Sequence, residues 1–157
     1  MPLVHLVNPN TTRATTDMMV EAARGAAPAG LDIAGVTAPR GPALIVDEAG
    51  LATPAAAVQE LLPEFTGAGV IVAAFGDPGA DALRRCLGVP VVGIGEASIR
   101  EAGRDGRRFS IVTTTPALAD SIRARVRALG CSDRLASLRF PDAEPAPLTA
   151  TPAALEA

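Results

Sequence analysis

Residues 70–79 read V-I-V-A-A-F-G-D-P-G, an apolar run that stops on a sharp Gly-Asp-Pro-Gly turn. The run predicts a strand over residues 69–74, and parallel α/β sheets carry their chemistry where such strands end. Working outward, a short helix is predicted over 80–87 and a fourth strand over 90–94. Upstream, residues 3–7 form the first predicted strand, followed by the turn N-P-N-T-T and a helix over 14–27 with Thr11 or Thr12 as its N-cap. A second strand is expected over 31–36, then a long loop over 37–50 that contains Arg40-Gly41-Pro42. Loops of that length in a compact domain are often functional. Thr53 before Pro54 offers a cap and a first-turn proline for a helix reaching about Phe65. Strand runs alternating with helical patterns signal βαβ units, so the expected fold class is α/β with a parallel sheet.

The pattern continues into a second unit. A helix over 96–104 leads through Asp105-Gly106 into a strand over 109–113. Thr115 and Pro116 open a helix to about Leu129, where Gly130 is a natural left-handed terminator. A strand is predicted over 135–140. Beyond it, residues 141–152 are proline-rich without periodicity, and 153–157 are too short for a stable helix alone. The resulting division is an N-terminal α/β unit over 1–95 and the start of a second over 96–157, which is expected to stop partway.

Composition prunes the chemistry. A chain of 157 residues makes one compact body able to bury about 70% of its unfolded surface. Apolar residues make up 48%, no run approaches a membrane span, and the N-terminus lacks a signal pattern, so a cytoplasmic protein without a membrane partner is expected. Net charge is -3 and the arginines form no long basic stripe, which argues against nucleic acid. All 14 basic residues are arginine, so the chain has no lysine for a Schiff base to pyridoxal phosphate or for a Walker-type phosphate loop. His5 is the single histidine, and Cys86 and Cys131 lack metal-ligand or redox spacing. No cofactor and no metal are expected; His5 and Cys86 read as packing residues and both cysteines as free thiols.

The 70–79 segment resembles the motif A-C-F-G-D-P-G of hydantoin and allantoin racemases, in the aspartate/glutamate racemase superfamily, with Ala74 at the cysteine position. The resemblance extends through Asn8-Pro9-Asn10-Thr11, Gly41-Pro42, residues 90–97 (P-V-V-G-I-G-E-A) and residues 108–114 (R-F-S-I-V-T-T), in the family's order. It implies two pseudo-symmetric α/β units with an active site in the cleft between them. It also implies cofactor-independent racemisation, in which one thiol removes a proton from a carbon next to a carbonyl and a second thiol returns one to the opposite face.

The expected first thiol is absent at Ala74, and no position matches the second. Cys131 is no stand-in, because it follows the helix ending at Gly130, whose negative dipole end raises a thiol pKa. The substrate-binding positions that the resemblance implies are Asn8, Asn10, Thr11, Gly41, Pro42, Phe75, Gly76, Asp77, Thr113 and Thr114. Each also has a plain structural reading: Asn and Thr cap helices, Asp77-Pro78-Gly79 forms a turn, and Thr115 caps the helix after Pro116. Glu96 reads as a first-turn helix acid, and Arg123, Arg125 and Arg127 as a solvated helix face. The expected function is a racemase of 5-substituted hydantoins or allantoin, inactive in this form, binding a hydantoin-like cyclic amide as a homo-oligomer. The alternatives are a single-cysteine, decarboxylase-like enzyme of the superfamily or a non-catalytic small-molecule-binding module.

Overall fold

Strand β1, Leu3–Asn8, is apolar at alternating and consecutive positions alike, and it occupies the interior of a parallel sheet, where both faces are covered. In the computed structural model, which describes residues 1–47 and 49–141, β1 pairs with β2, Asp32–Thr37, on one side and β3, Gly69–Val72, on the other. Strand β4, Val91–Gly93, completes the parallel order β2-β1-β3-β4. Helices α1, Arg13–Ala26, and α3, Ala80–Cys86, follow β1 and β3; α2, Ala49–Glu60, precedes β3; and α4, Ile94–Ala102, follows β4 directly.

Side-chain alternation assigns the two faces of this sheet. Leu6, Ile33 and Ala73 pack with Val20, Met19 and Ala23 of α1. On the other face Val7, Val70, Val72 and Val91 pack with Val58 and Leu61, Phe65, and Ala80 and Leu83 of α3. His5 shares this second face, buried with its ring tilted against Phe65 at 5.7 Å between centroids, as its strand position predicted. These elements belong to a first compact unit, 1–45 and 49–98.

The second unit takes over within α4, after Ser98. Its strands β5, Phe109–Val112, and β6, Leu135–Arg139, pair in parallel with an irregularity between Phe109 and Ser110. Helix α5, Ala119–Ala128, connects them and buries Ile122 and Val126. Gly130 adopts a φ of 67°, the left-handed conformation that ends a helix.

Several expectations about local structure need correction. Helix α2 begins at Ala49, so Thr53 does not cap it and Pro54 lies inside. Pro54 cannot donate to the carbonyl of Gly50, and burial of Ala57, Val58 and Leu61 holds the helix despite that missing bond. The loop after β2 is correspondingly shorter. Thr12 occupies the N-cap of α1 without a capping bond, and its hydroxyl donates to the Ala43 carbonyl at 3.1 Å. Thr115 likewise makes no capping bond, and a 3₁₀ turn, Pro116–Leu118, precedes α5. Strand β3 ends at Val72, two residues early, where the turn begins. Cys86 is exposed at the end of α3 and so is not a packing residue, whereas Cys131 is buried; neither forms a disulfide. Arg123 and Arg127 are exposed, while Arg125 is half-buried. The readings for 142–157 lie outside the described residues. No helix among the described residues is long and apolar enough to cross a membrane.

Candidate functional site at the carboxyl ends of β1, β2 and β3

Strand β1 delivers Asn8 to its carboxyl end with no exposed surface. A buried primary amide must spend its donors and acceptor on neighbours. The Asn8 Nδ2 donates to the Thr12 carbonyl at 3.1 Å and to Thr16 Oγ1 at 3.0 Å, and Asn8 Oδ1 accepts the Asn10 N–H at 2.9 Å. Thr16 and Thr37 hydroxyls are 2.7 Å apart, extending the network from α1 to the end of β2. Asn8 thus shapes the loop that carries Asn10. In that loop the Asn10 Oδ1 is buried and has no hydrogen-bond partner.

The β1 and β2 loops are bound together. Thr11 N–H donates to the Pro42 carbonyl at 3.2 Å, the Thr12 hydroxyl to the Ala43 carbonyl, and Ala38 N–H to the Asn8 carbonyl at 2.9 Å. Asn8, Asn10, Thr11, Gly41 and Pro42, chosen from separate stretches of sequence, therefore form one cluster. Beyond Pro42, Arg40 forms a bidentate ion pair with Glu60 at the end of α2. The Arg40 hydrogen bonds, with its charge beside them, hold the Glu60 carboxyl below the usual carboxylate range against the opposing effect of burial.

Strand β3 runs alongside. Its continuation, Ala73, donates to the Val7 carbonyl at 2.8 Å, which sets the following residue, Ala74, next to the end of β1. Ala74 and Phe75 are half-buried and Gly76 is exposed. Asp77 closes the turn by donating its N–H to the Ala74 carbonyl at 2.9 Å. Its side chain, 5% exposed, turns the other way: the carboxylate accepts the N–H groups of Gly95 and Glu96, each at 2.8 Å, at the start of α4. Arg84 braces the same region, donating to the Val91 carbonyl at 3.0 Å and pairing with Glu96 at 2.6 Å and Asp81 at 2.7 Å. Burial pulls the Arg84 pKa down, but its hydrogen bonds and the charges of Glu96 and Asp81 outweigh that and raise it. Glu96 is a first-turn acid of α4, as its position predicted.

Thr113 and Thr114 lie at the carboxyl end of β5, in the second unit. Thr113 N–H donates to the Arg139 carbonyl at 3.1 Å, and its hydroxyl is 3.2 Å from that of Thr115. Among the described residues no group of His, Cys, Asp and Glu gathers to hold a metal ion. Sequence reading missed Thr16 and Thr37, whose small polar character inside a helix and at a strand end is a faint signal. It also missed why Gly93 and Gly95 flank Ile94. A Cβ on Gly93 would sit 2.1 Å from the Asp77 carboxyl carbon, and one on Gly95 would sit 1.9 Å from the Phe75 carbonyl oxygen.

A parallel sheet whose strand ends gather amides, hydroxyls and glycine turns defines an α/β protein with a polar site at its carboxyl edge. A family model described as Asp/Glu/Hydantoin racemase matches residues 4–155, and the chain belongs to that family. It is 33% identical over 144 residues to a hydantoin racemase of Paenarthrobacter aurescens, covering 87% of this chain and 60% of that protein. Its structure is similar to that of an allantoin racemase from Klebsiella pneumoniae, with a TM-score of 0.91 and 32% identity over 99% of this chain and 65% of the other. An allantoin racemase from Pseudomonas fluorescens gives 0.89 and 31%, over 98% of this chain and 66% of that one. The chain thus spans between 60% and 66% of the length of these relatives.

Proposed function

We propose that this chain supplies the substrate-binding frame of a cofactor-independent racemase acting on a 5-substituted hydantoin or allantoin, and that it does not itself racemise that substrate. The observation that carries this reading is Ala74, set beside the end of β1 in the turn that the family motif would furnish with a thiol. A methyl group neither accepts nor returns a proton. Asn10, with its unpartnered Oδ1, and Thr11, Gly41, Pro42, Phe75 and Gly76 are the ligand-binding groups of the first unit in this reading. Asn8 acts through Asn10, since its own amide is engaged by the loop. The similarity to a hydantoin racemase and an allantoin racemase supports a small cyclic amide as ligand. The same reading places the protein in the cytoplasm as a homo-oligomer.

Polarimetry on purified protein tests the negative half: optical rotation of an enantiopure 5-substituted hydantoin should decay at the buffer rate. Faster decay that disappears on heat denaturation would overturn it. The positive half is tested with Ala74→Cys. One thiol cannot invert the centre, but it can exchange the C5 proton from one face. The variant should incorporate solvent deuterium into a single enantiomer, followed by NMR after binding has been shown. Equal background exchange of both enantiomers by a saturated variant would mean that residue 74 is not the acid/base position.

A further inference from the structure

The cap of α4 comes from an unusual place. Helices are generally capped by a side chain at the residue preceding their first turn. Here that residue is Gly93, which has no side chain, and the cap is supplied by Asp77, 18 positions before Gly95, whose N–H its carboxylate accepts. A local Ser or Asp would stabilise the helix start equally well. It would not tie the β3 turn to α4.

We propose that Asp77 is the positioning residue of this site: its carboxylate locks the Ala74-Phe75-Gly76-Asp77 turn to the start of α4, so that the side chain of residue 74 is presented in one orientation. The proposal deepens the reading of residue 74 as the acid/base position and rests on it.

Each bond of Asp77 has a separate direction. Its N–H returns to the Ala74 carbonyl at 2.9 Å, its carbonyl accepts the Ala80 N–H at 3.1 Å at the start of α3, and its carboxylate reaches Gly95 and Glu96. The turn is thereby fixed to two helices through one residue. The backbone there has a φ of 48°, a left-handed conformation that Asp tolerates better than most side chains and that the fold must enforce. The opposing surface is shaped to admit it. Gly93 leaves room for the carboxylate and Gly95 for the Phe75 carbonyl, and a methyl group at either would collide. Arg84 independently holds Glu96, so the receiving end is braced as well. With each carboxylate oxygen holding a backbone N–H group at the start of α4, Asp77 acts on residue 74 through the turn.

A fluorine probe reads the orientation of residue 74 without needing any substrate. In an Ala74→Cys/Cys86→Ser background, which removes the exposed thiol and leaves Cys131 buried, a trifluoroethylthio label on residue 74 should give one resonance displaced from that of the free label. Asp77→Asn keeps the tolerance for positive φ and one acceptor, so a folded protein is expected. In it the resonance should split or broaden and move toward the free-label position by more than its linewidth, while cooperative unfolding persists. Gly95→Ala, which displaces the Phe75 carbonyl without touching the carboxylate, should produce the same change. A spectrum of folded Asp77→Asn superimposable on its parent would overturn the proposal, as a merely stabilising cap would leave the probe unmoved.

Hydrogen exchange on the unsubstituted protein gives a second test that needs no variant. The amides of Asp77, Gly95 and Glu96 should open together. Rapid exchange at Asp77 with lasting protection at Gly95 and Glu96 would also overturn the proposal. Failure of the protein to bind a hydantoin would sink the substrate reading and leave both of these readouts intact, so the two failures are distinguishable.

Discussion

At the scale of single residues, the site is built more from buried hydrogen bonds than from exposed functional groups. Asn8 shows this most clearly: it makes three hydrogen bonds from a fully buried position, each to a group in the following turn or helix. Deleting the amide leaves the Asn10 N–H, the Thr12 carbonyl and the Thr16 hydroxyl without that partner. Since an unsatisfied buried polar group costs about 1–3 kcal/mol, Asn8→Ala should lower stability by about 2–3 kcal/mol in urea unfolding. Asn8→Asp should be at least as damaging, because it replaces two donors with an acceptor facing the Thr12 carbonyl. A loss below half a kcal/mol for both would mean that the network does not hold the loop. The sequence identified Asn8 correctly as an end-of-strand polar residue, because N-P-N-T-T is a turn at a strand end. It does not reveal whether an amide faces ligand or loop, since that depends on Thr16 and Thr37, which arrive from other elements.

At the scale of elements, the succession of strands and helices along the chain followed from hydrophobic periodicity, while the order of strands in the sheet did not, and local capping and boundary signals gave way where tertiary contacts competed. Thr12 turns its hydroxyl toward Ala43 in the β2 loop and makes no capping bond to α1. Pro54 sits inside α2 because apolar burial on the sheet outweighs one missing backbone bond. The Asp77 cap joins segments whose partnership no local pattern encodes. The Arg40–Glu60 pair is of the same kind, connecting the β2 loop to the end of α2. It carries a pH signature. Glu60 titrates lower in the folded protein than in the unfolded chain, so its contribution is present above the ordinary glutamate range and is lost as pH falls through the depressed folded value. Both partners are half-exposed, and salt should weaken the effect. An NMR titration is expected to show the Glu60 midpoint rising toward the ordinary value in Arg40→Ala and, in part, at high salt. A midpoint indifferent to Arg40→Ala would show that the pair does not persist in solution.

At the scale of the whole molecule, the two sheets differ in how well they are covered. The four-stranded sheet has apolar residues buried on both faces, whereas none of the residues of β5 and β6 is fully buried. Sheets of two strands are marginal in water, and three or more strands or a covering element are needed for independent stability. Among the described residues β5 pairs only with β6, so each strand has one edge without a ladder partner. Exposed edges of this kind pair readily with other chains. Val112 on β5 is 70% exposed, and Val92 on β4, the edge strand of the larger sheet, is 45% exposed. Self-association is therefore expected, with a light-scattering mass that rises with concentration through the micromolar range. Val112→Lys, which places a charge on the exposed edge strand, should lower that mass at a given concentration without loss of cooperative unfolding, because the side chain contributes little to the core. Val92→Lys serves as a separate probe of the β4 edge. If the protein stays a monodisperse monomer at high micromolar concentration, the homo-oligomer reading fails and the β5–β6 pair must be stable without a partner chain. If it associates but neither substitution alters the mass, the contact lies elsewhere on the surface and the strand-edge explanation is wrong.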